Sequence, residues 1–148
     1  MQKVEFVLLD SKEEYRQEYL KNYLDNSFFL GDIPVVFSDK DFYHIFFEPG
    51  KEGCGYVFSK RRAKRMYFMK AILSGELDIE IMYETDRGTI ALFCLDLECV
   101  MYLRIRPGRK LFQVGTFFDF GKDHTKMYLK QKKKCIKITL QEIKNKIL

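Results

Sequence analysis

Tyr15, Tyr19 and Tyr23 recur every four residues with Leu20 and Leu24 beside them, and this one-sided spacing predicts a helix ending near Asn26. Ser11 with Glu14 three residues on has the form of a capping box, so the helix starts there. Before it, Val4 to Leu9 predicts a short strand. Ser38 and Asp41 repeat the cap spacing ahead of Phe42, Ile45 and Phe46, which favours a short helix stopped by Pro49-Gly50 over a strand, the alternative that the aromatic-rich Phe42–Phe47 run leaves open. Ser59 heads a third helix whose apolar side is Ala63, Met66, Tyr67, Met69, Ile72 and Leu73, ended by Ser74-Gly75.

From Leu77 the period changes to two. Leu77, Ile79, Ile81 and Tyr83 alternate with Asp78, Glu80 and Glu84, and Asp86-Arg87-Gly88 reads as a turn. Ile90 to Leu95 is nearly all apolar, as a central strand requires. A third strand runs from Leu97 to Ile105, Pro107-Gly108 is a turn, and Leu111 to Phe120 is a fourth strand with Phe112, Val114, Thr116, Phe118 and Phe120 on one face. Asp123 can cap a last helix or turn through Tyr128 and Leu129, and Ile136, Ile138 and Leu140 suggest a final strand or amphipathic tail. The expectation is an α+β fold: N-terminal helices packed on one face of a four- to five-stranded antiparallel meander. It forms a single domain over 1–148, with a helical part at about 11–74, a sheet at about 77–120 and a basic C-terminal segment at 121–148.

Charge changes this picture. The net charge is only +5, yet residues 1–103 carry 13 Lys and Arg against 18 Asp and Glu, whereas residues 104–148 carry 13 against 3. Inside the acidic part, Lys60, Arg61, Arg62, Lys64, Arg65 and Lys70 form a block without an acid. Fields of one sign concentrate partners of the other, and phosphate backbones are the usual ones. Solvated faces paired with acids elsewhere are the plainer explanation. Cationic charge at a helix start is unfavourable by a few tenths of a kcal/mol per residue, which favours a use for it. The cations placed to contact nucleic acid are Arg62, Lys64, Arg104, Arg106, Lys110, Lys126 and Lys130. No apolar run is long enough to span a bilayer, and no membrane partner is expected. Cys54, Cys94, Cys99 and Cys135 lack the paired spacing of a zinc site and read as reduced cytoplasmic thiols.

The two histidines are His44 and His124. On a helix, Asp41, His44 and Glu48 would share a face, where a carboxylate fixes the imidazole tautomer for acid/base work. A surface histidine in an aromatic patch is the plainer alternative, and His124 reads as a loop histidine. No serine or cysteine nucleophile motif, metal-ligand cluster or phosphate-binding glycine loop is legible, so neither metal nor cofactor is expected. An acid/base with cations and a polar strand residue suffices for RNA cleavage, in which protons move at the 2′-hydroxyl and leaving group while charge grows on phosphorus.

A helical Phe42-Tyr43-His44-Ile45 segment, a basic Ser59–Leu73 helix and Gly115-Thr116-Phe117 in the last meander strand resemble the barnase–EndoU–colicin–RelE (BECR) group of small ribonucleases, in its prophage-associated form. The resemblance spans about 40–120. It implies a toxin-like or prophage-encoded metal-independent endoribonuclease with His44 as general acid/base. Arg61 or Arg65 would hold the scissile phosphate, Thr116 would donate to a phosphate oxygen, and an acidic protein or antitoxin would be a partner. The sequence departs from the pattern in lacking a clear glutamate base or a matched second histidine. A nucleic-acid-binding module without turnover and a phage accessory domain that docks an acidic protein remain the alternatives.

Overall fold

The computed structural model describes residues 4–146, and its secondary structure runs through six α-helices and nine strands. α1 (Lys12–Tyr19) begins where expected: the Ser11 hydroxyl accepts the Glu14 amide at 3.2 Å and bonds the Glu14 carboxylate at 3.1 Å. Such a cap is worth about 1 kcal/mol. The helix continues as one π-helical turn, Leu20–Leu24. Its tyrosine stripe is buried, and each hydroxyl pegs a different segment. Tyr15 donates to the Val7 carbonyl at 2.8 Å and accepts the Leu9 amide, and Tyr19 donates to the Ser38 carbonyl at 2.8 Å. Tyr23 donates to the Met66 carbonyl and accepts the Lys70 amide, so its hydroxyl sits inside the helical ladder between residues i and i+4.

Val4 to Leu9 is no strand. It is an extended tether whose Val7 amide donates to the Lys64 carbonyl at 2.7 Å. That carbonyl is free because the basic helix is broken: α3 (Lys60–Ala63) is capped by the Ser59 hydroxyl at 3.2 Å from the Arg62 amide, and α4 (Met66–Ile72) follows after a turn at Lys64-Arg65. α2 (Asp41–Phe46) is shorter than the spacing suggested, and its chain passes directly into β3 (Phe47–Pro49), paired with β4 (Tyr56–Phe58) as a separate hairpin.

The main sheet is larger than the expected meander and is mixed. Its order is β1 (Phe28–Leu30), β2 (Ile33–Val36), β8 (Leu111–Asp119), β7 (Cys99–Arg106), β6 (Thr89–Cys94), β5 (Glu80–Glu84) and β9 (Cys135–Lys137). The antiparallel run β5 to β8 is as anticipated. β1 and β2 were not: they form a hairpin through Gly31-Asp32, with Gly31 at φ +63°, and β2 joins β8 in parallel through Val35–Phe112 and Val36–Gln113. Past those two pairs, α2 and α3 pack beside β8.

Each sheet face has its own core. Ile90, Leu92, Met101, Leu103, Phe112, Val114 and Phe117 face α1 to α4, together with the tyrosine stripe. Met82, Ala91, Phe93, Val100, Tyr102 and Phe120 face the other way, against Met127 and Tyr128 of α5 (His124–Lys132). α6 (Leu140–Lys146) returns to the first core, where Ile143 is fully buried. In β8 the expected single face splits. Tyr102 pairs with Thr116 and Leu103 with Val114, which leaves Gly115 as a bulge. Phe112 and Val114 therefore point to the helical side, whereas Thr116, Phe118 and Phe120 point to the side of α5.

Candidate functional site

α5 covers only part of the sheet's second face. Across the uncovered part, Glu84, Thr89, Arg104 and Gln113 lie in register on β5, β6, β7 and β8, a row about 14 Å long at ordinary strand spacing. The next row is Met82, Ala91, Tyr102 and Thr116. Glu84, Thr89, Arg104, Tyr102 and Thr116 of these rows, with Gln131 of α5 and Lys134 just after it, line a cleft of about 600 Å³. The bulge shapes it. A Cβ built on Gly115 would lie 3.6 Å from Arg104 Cγ and 3.7 Å from Arg104 Nε, so the arginine stem lies across a residue without a side chain.

The electrostatics of the cleft are one-sided. Arg87, Arg104, Arg106 and Lys134 line it, and none has an acid within 4.0 Å among the described residues. Among the described residues, Glu84 is the sole carboxylate on its wall. It is 5% exposed and accepts the Thr89 hydroxyl at 2.8 Å. The Tyr102 hydroxyl donates to Gln131 at 2.9 Å, tying the end of α5 to the floor, and burial pushes this phenol above its ordinary range. At the far side of α5, Glu80 accepts Tyr128 at 2.6 Å and Lys132 at 3.1 Å.

Of the residues singled out from sequence, Arg104, Arg106 and Thr116 meet in this cleft. Arg61 and Arg65 line a different hollow of about 530 Å³ at the ends of the strands, among Glu98, Asp119 and Lys122. There Arg61 is compensated, 3.2 Å from Glu48 and 3.5 Å from the buried Asp119, while Arg65 donates to the Arg61 carbonyl at 2.7 Å. Arg62 lines neither: its Nε is 3.5 Å from Glu48 and its guanidinium lies 5.7 Å from the Phe118 ring centre. Burial is the main influence on Arg62 and lowers its pKa, with Glu48 and Asp119 opposing. Lys64 lies over the Phe6 ring at 4.9 Å. Lys110 is exposed in the β7–β8 turn, and Lys126 and Lys130 are exposed on α5.

His44 lines neither concavity. It is exposed on α2, whose Phe42, Ile45 and Phe46 fill the first core, and among the described residues its side chain makes no hydrogen bond. The expected Asp41–His44–Glu48 face does not form. The buried Asp41 carboxylate accepts the Ser38 amide at 2.8 Å, and Glu48 lies beyond the end of the helix, on β3, against Arg61 and Arg62. His124 instead meets a carboxylate, with Nδ1 2.8 Å from Glu98. The sequence places Glu84 only on a strand and Arg87 only in a turn, with no site role for either. The signal for Glu84 is the alternation Glu80, Met82, Glu84, which puts a charged residue on the face where Met82 is buried.

No group of three or more His, Cys, Asp or Glu side chains is placed to hold a metal among the described residues. No helix of the described residues is long and apolar enough to cross a membrane. Comparison with protein-family models, with curated proteins and with solved structures finds no match.

Proposed function

We propose that the protein is a metal-independent endoribonuclease whose active cleft is the uncovered part of the sheet's second face. One observation carries this reading: a buried carboxylate, Glu84, shares a cleft with four cations that have no acid partner among the described residues. Arg87, Arg104, Arg106 and Lys134 would hold the backbone phosphates, and Thr116 would donate to a phosphate oxygen. Glu84, fixed by Thr89, would take the 2′-hydroxyl proton. The 2′-oxygen then bonds to phosphorus as the bond to the 5′-oxygen breaks, giving a 2′,3′-cyclic phosphate and a 5′-hydroxyl protonated from solvent. The arginines stabilise the charge that builds on the phosphoryl oxygens. This moves the acid/base role from His44, which the BECR resemblance implied, to a strand glutamate.

The same cations would attract an acidic protein, and an antitoxin-like inhibitor covering the cleft fits that chemistry. The four free thiols suit a cytoplasmic, reducing setting, and a toxin-like or prophage-encoded origin accords with the resemblance. A second reading, RNA binding without turnover, draws support from the position of both histidines outside the cleft. Incubation of end-labelled RNA with the wild type, Glu84→Gln and Arg104→Ala separates the two. The nuclease reading expects cyclic-phosphate products from the wild type, binding without cleavage in Glu84→Gln, and weaker binding with slower cleavage in Arg104→Ala. Binding with no product from the wild type would leave the second reading.

A further inference from the structure

The cleft does not end at Arg106. A neighbouring hollow of about 340 Å³ is lined by Arg106, Pro107, Gly108, Arg109 and Gln113, so Arg106 is the wall common to both. The Gln113 side-chain oxygen accepts Arg106 Nε at 3.2 Å and Nη2 at 2.9 Å, which orients the Gln113 amide so that its NH₂ group is left to donate elsewhere. Arg104 and Arg106 stand on the same face two residues apart on β7, a step of about 6.6 Å. That step is comparable to the separation of neighbouring phosphates in an extended strand. Arg109 follows in the 3₁₀ turn after β7, and Lys110, at φ +53°, completes it. Between Arg104 and Phe118 the chain contains no acidic residue, and Arg104, Arg106, Arg109 and Lys110 make no ion pair among the described residues.

We propose that Arg106, Arg109 and the Gln113 amide form a second phosphate subsite continuous with the cleft, so that the ligand is single-stranded RNA held at two or more consecutive phosphates. This rests on the cleft being the RNA site. An isolated phosphate or nucleotide would use Arg104 and leave the turn idle, whereas a polymer engages both hollows. A cleft of about 600 Å³ matches a ligand of one or two nucleotides and is too small to admit a duplex to its floor.

Affinity for 2′-O-methyl oligouridylates, which lack the attacking hydroxyl, tests the subsite on the intact protein. Wild type should gain roughly tenfold between the dinucleotide and the tetranucleotide, the value of one charge-assisted contact. Arg109→Ala, at an exposed turn position, should remove that gain and reduce the slope of log affinity against log salt by about 0.7. Lys21→Ala, the same charge change on the far helical layer, should keep the gain. Wild-type affinity flat with length, or an equal loss at every length in Arg109→Ala, would overturn the subsite and leave the cleft standing. A hairpin bound as tightly as the open strand would overturn the single-stranded assignment. Failure of the wild type to bind any oligonucleotide at low salt would instead overturn the RNA reading beneath it.

Discussion

Arg104 lies over Gly115, and a Cβ at Gly115 would stand 3.2 Å from the Tyr102 carbonyl oxygen as well as 3.6 Å from Arg104 Cγ. The bulge thus does two things at once. It turns Thr116 into the cleft, and it leaves the space that the arginine stem occupies. Gly115→Ala should destabilise the protein by about 1–3 kcal/mol, because the nearest neighbour is backbone in a central strand pair. It should also weaken RNA binding beyond what lost stability explains, since Arg104 must move. Urea melts and binding titrations on the folded protein read these separately. A substitution that lowers stability and leaves affinity unchanged would detach the bulge from the cleft.

The parts legible in the sequence are those specified locally. Ser11, Ser59 and Asp123 cap helices because each cap needs only the next three residues, and the order β5 to β8 follows from alternation between short turns. β1 and β2 were hidden because they have three and four residues and β2 contains Pro34, which argues against a strand when read alone. Their parallel partner lies far along the chain. Strict alternation puts Thr116 on the face of Phe112 and Val114 because it has no means of counting a bulge. The site divides in the same way. Arg104, Arg106 and Thr116 share one hairpin and are brought together by local pairing, whereas the acids that compensate Arg61, Glu48 and Asp119, arrive from distant segments.

The same division sets an expectation for His44. It is exposed on α2, on the helical side of the sheet, while Glu84 and Arg104 face the other side. His44→Ala should leave stability within about 0.5 kcal/mol and RNA cleavage unchanged. Arg104→Ala should lower kcat/KM by roughly 10–100-fold, the value of one charge-assisted contact to phosphate. Loss of cleavage in His44→Ala with intact folding would return the acid/base role to the histidine and sink the assignment to Glu84.

Two buried tyrosines differ in what their hydroxyls replace. Tyr15 bonds the Val7 carbonyl and the Leu9 amide, which have no alternative partner in the extended tether. Tyr23 sits between the Met66 carbonyl and the Lys70 amide, two groups that can bond each other once the hydroxyl is gone. Tyr15→Phe should therefore cost about 1–3 kcal/mol and Tyr23→Phe less than about 1 kcal/mol. Truncation of Tyr23 to Ala leaves a cavity and should cost about 3–5 kcal/mol, as for other large aromatics. Urea midpoints rank the three, and a Tyr23→Phe cost above that of Tyr15→Phe would show that the ladder does not close.

Acid stability should depend on how α5 is held. Burial works to raise the Glu80 carboxyl, but hydrogen bonds from Tyr128 and Lys132, with Lys137 nearby, hold it below its ordinary value. Lys132 also donates to the Tyr128 hydroxyl at 2.9 Å, so the three groups form a closed network between β5 and α5. A carboxyl whose pKa is lower in the folded than in the unfolded state contributes stability above its unfolded value, about 4.3 for glutamate, and that contribution disappears as pH falls through the folded value. Tyr128→Phe weakens the network and should move the acid-unfolding midpoint to higher pH, and the double variant with Lys132→Ala should move it further. At neutral pH both should bind RNA less well than wild type, because α5 carries Gln131 and leads to Lys134 on the cleft wall. Circular dichroism against pH measures the first effect, and an unchanged midpoint in the double variant would show that Glu80 does not anchor the helix.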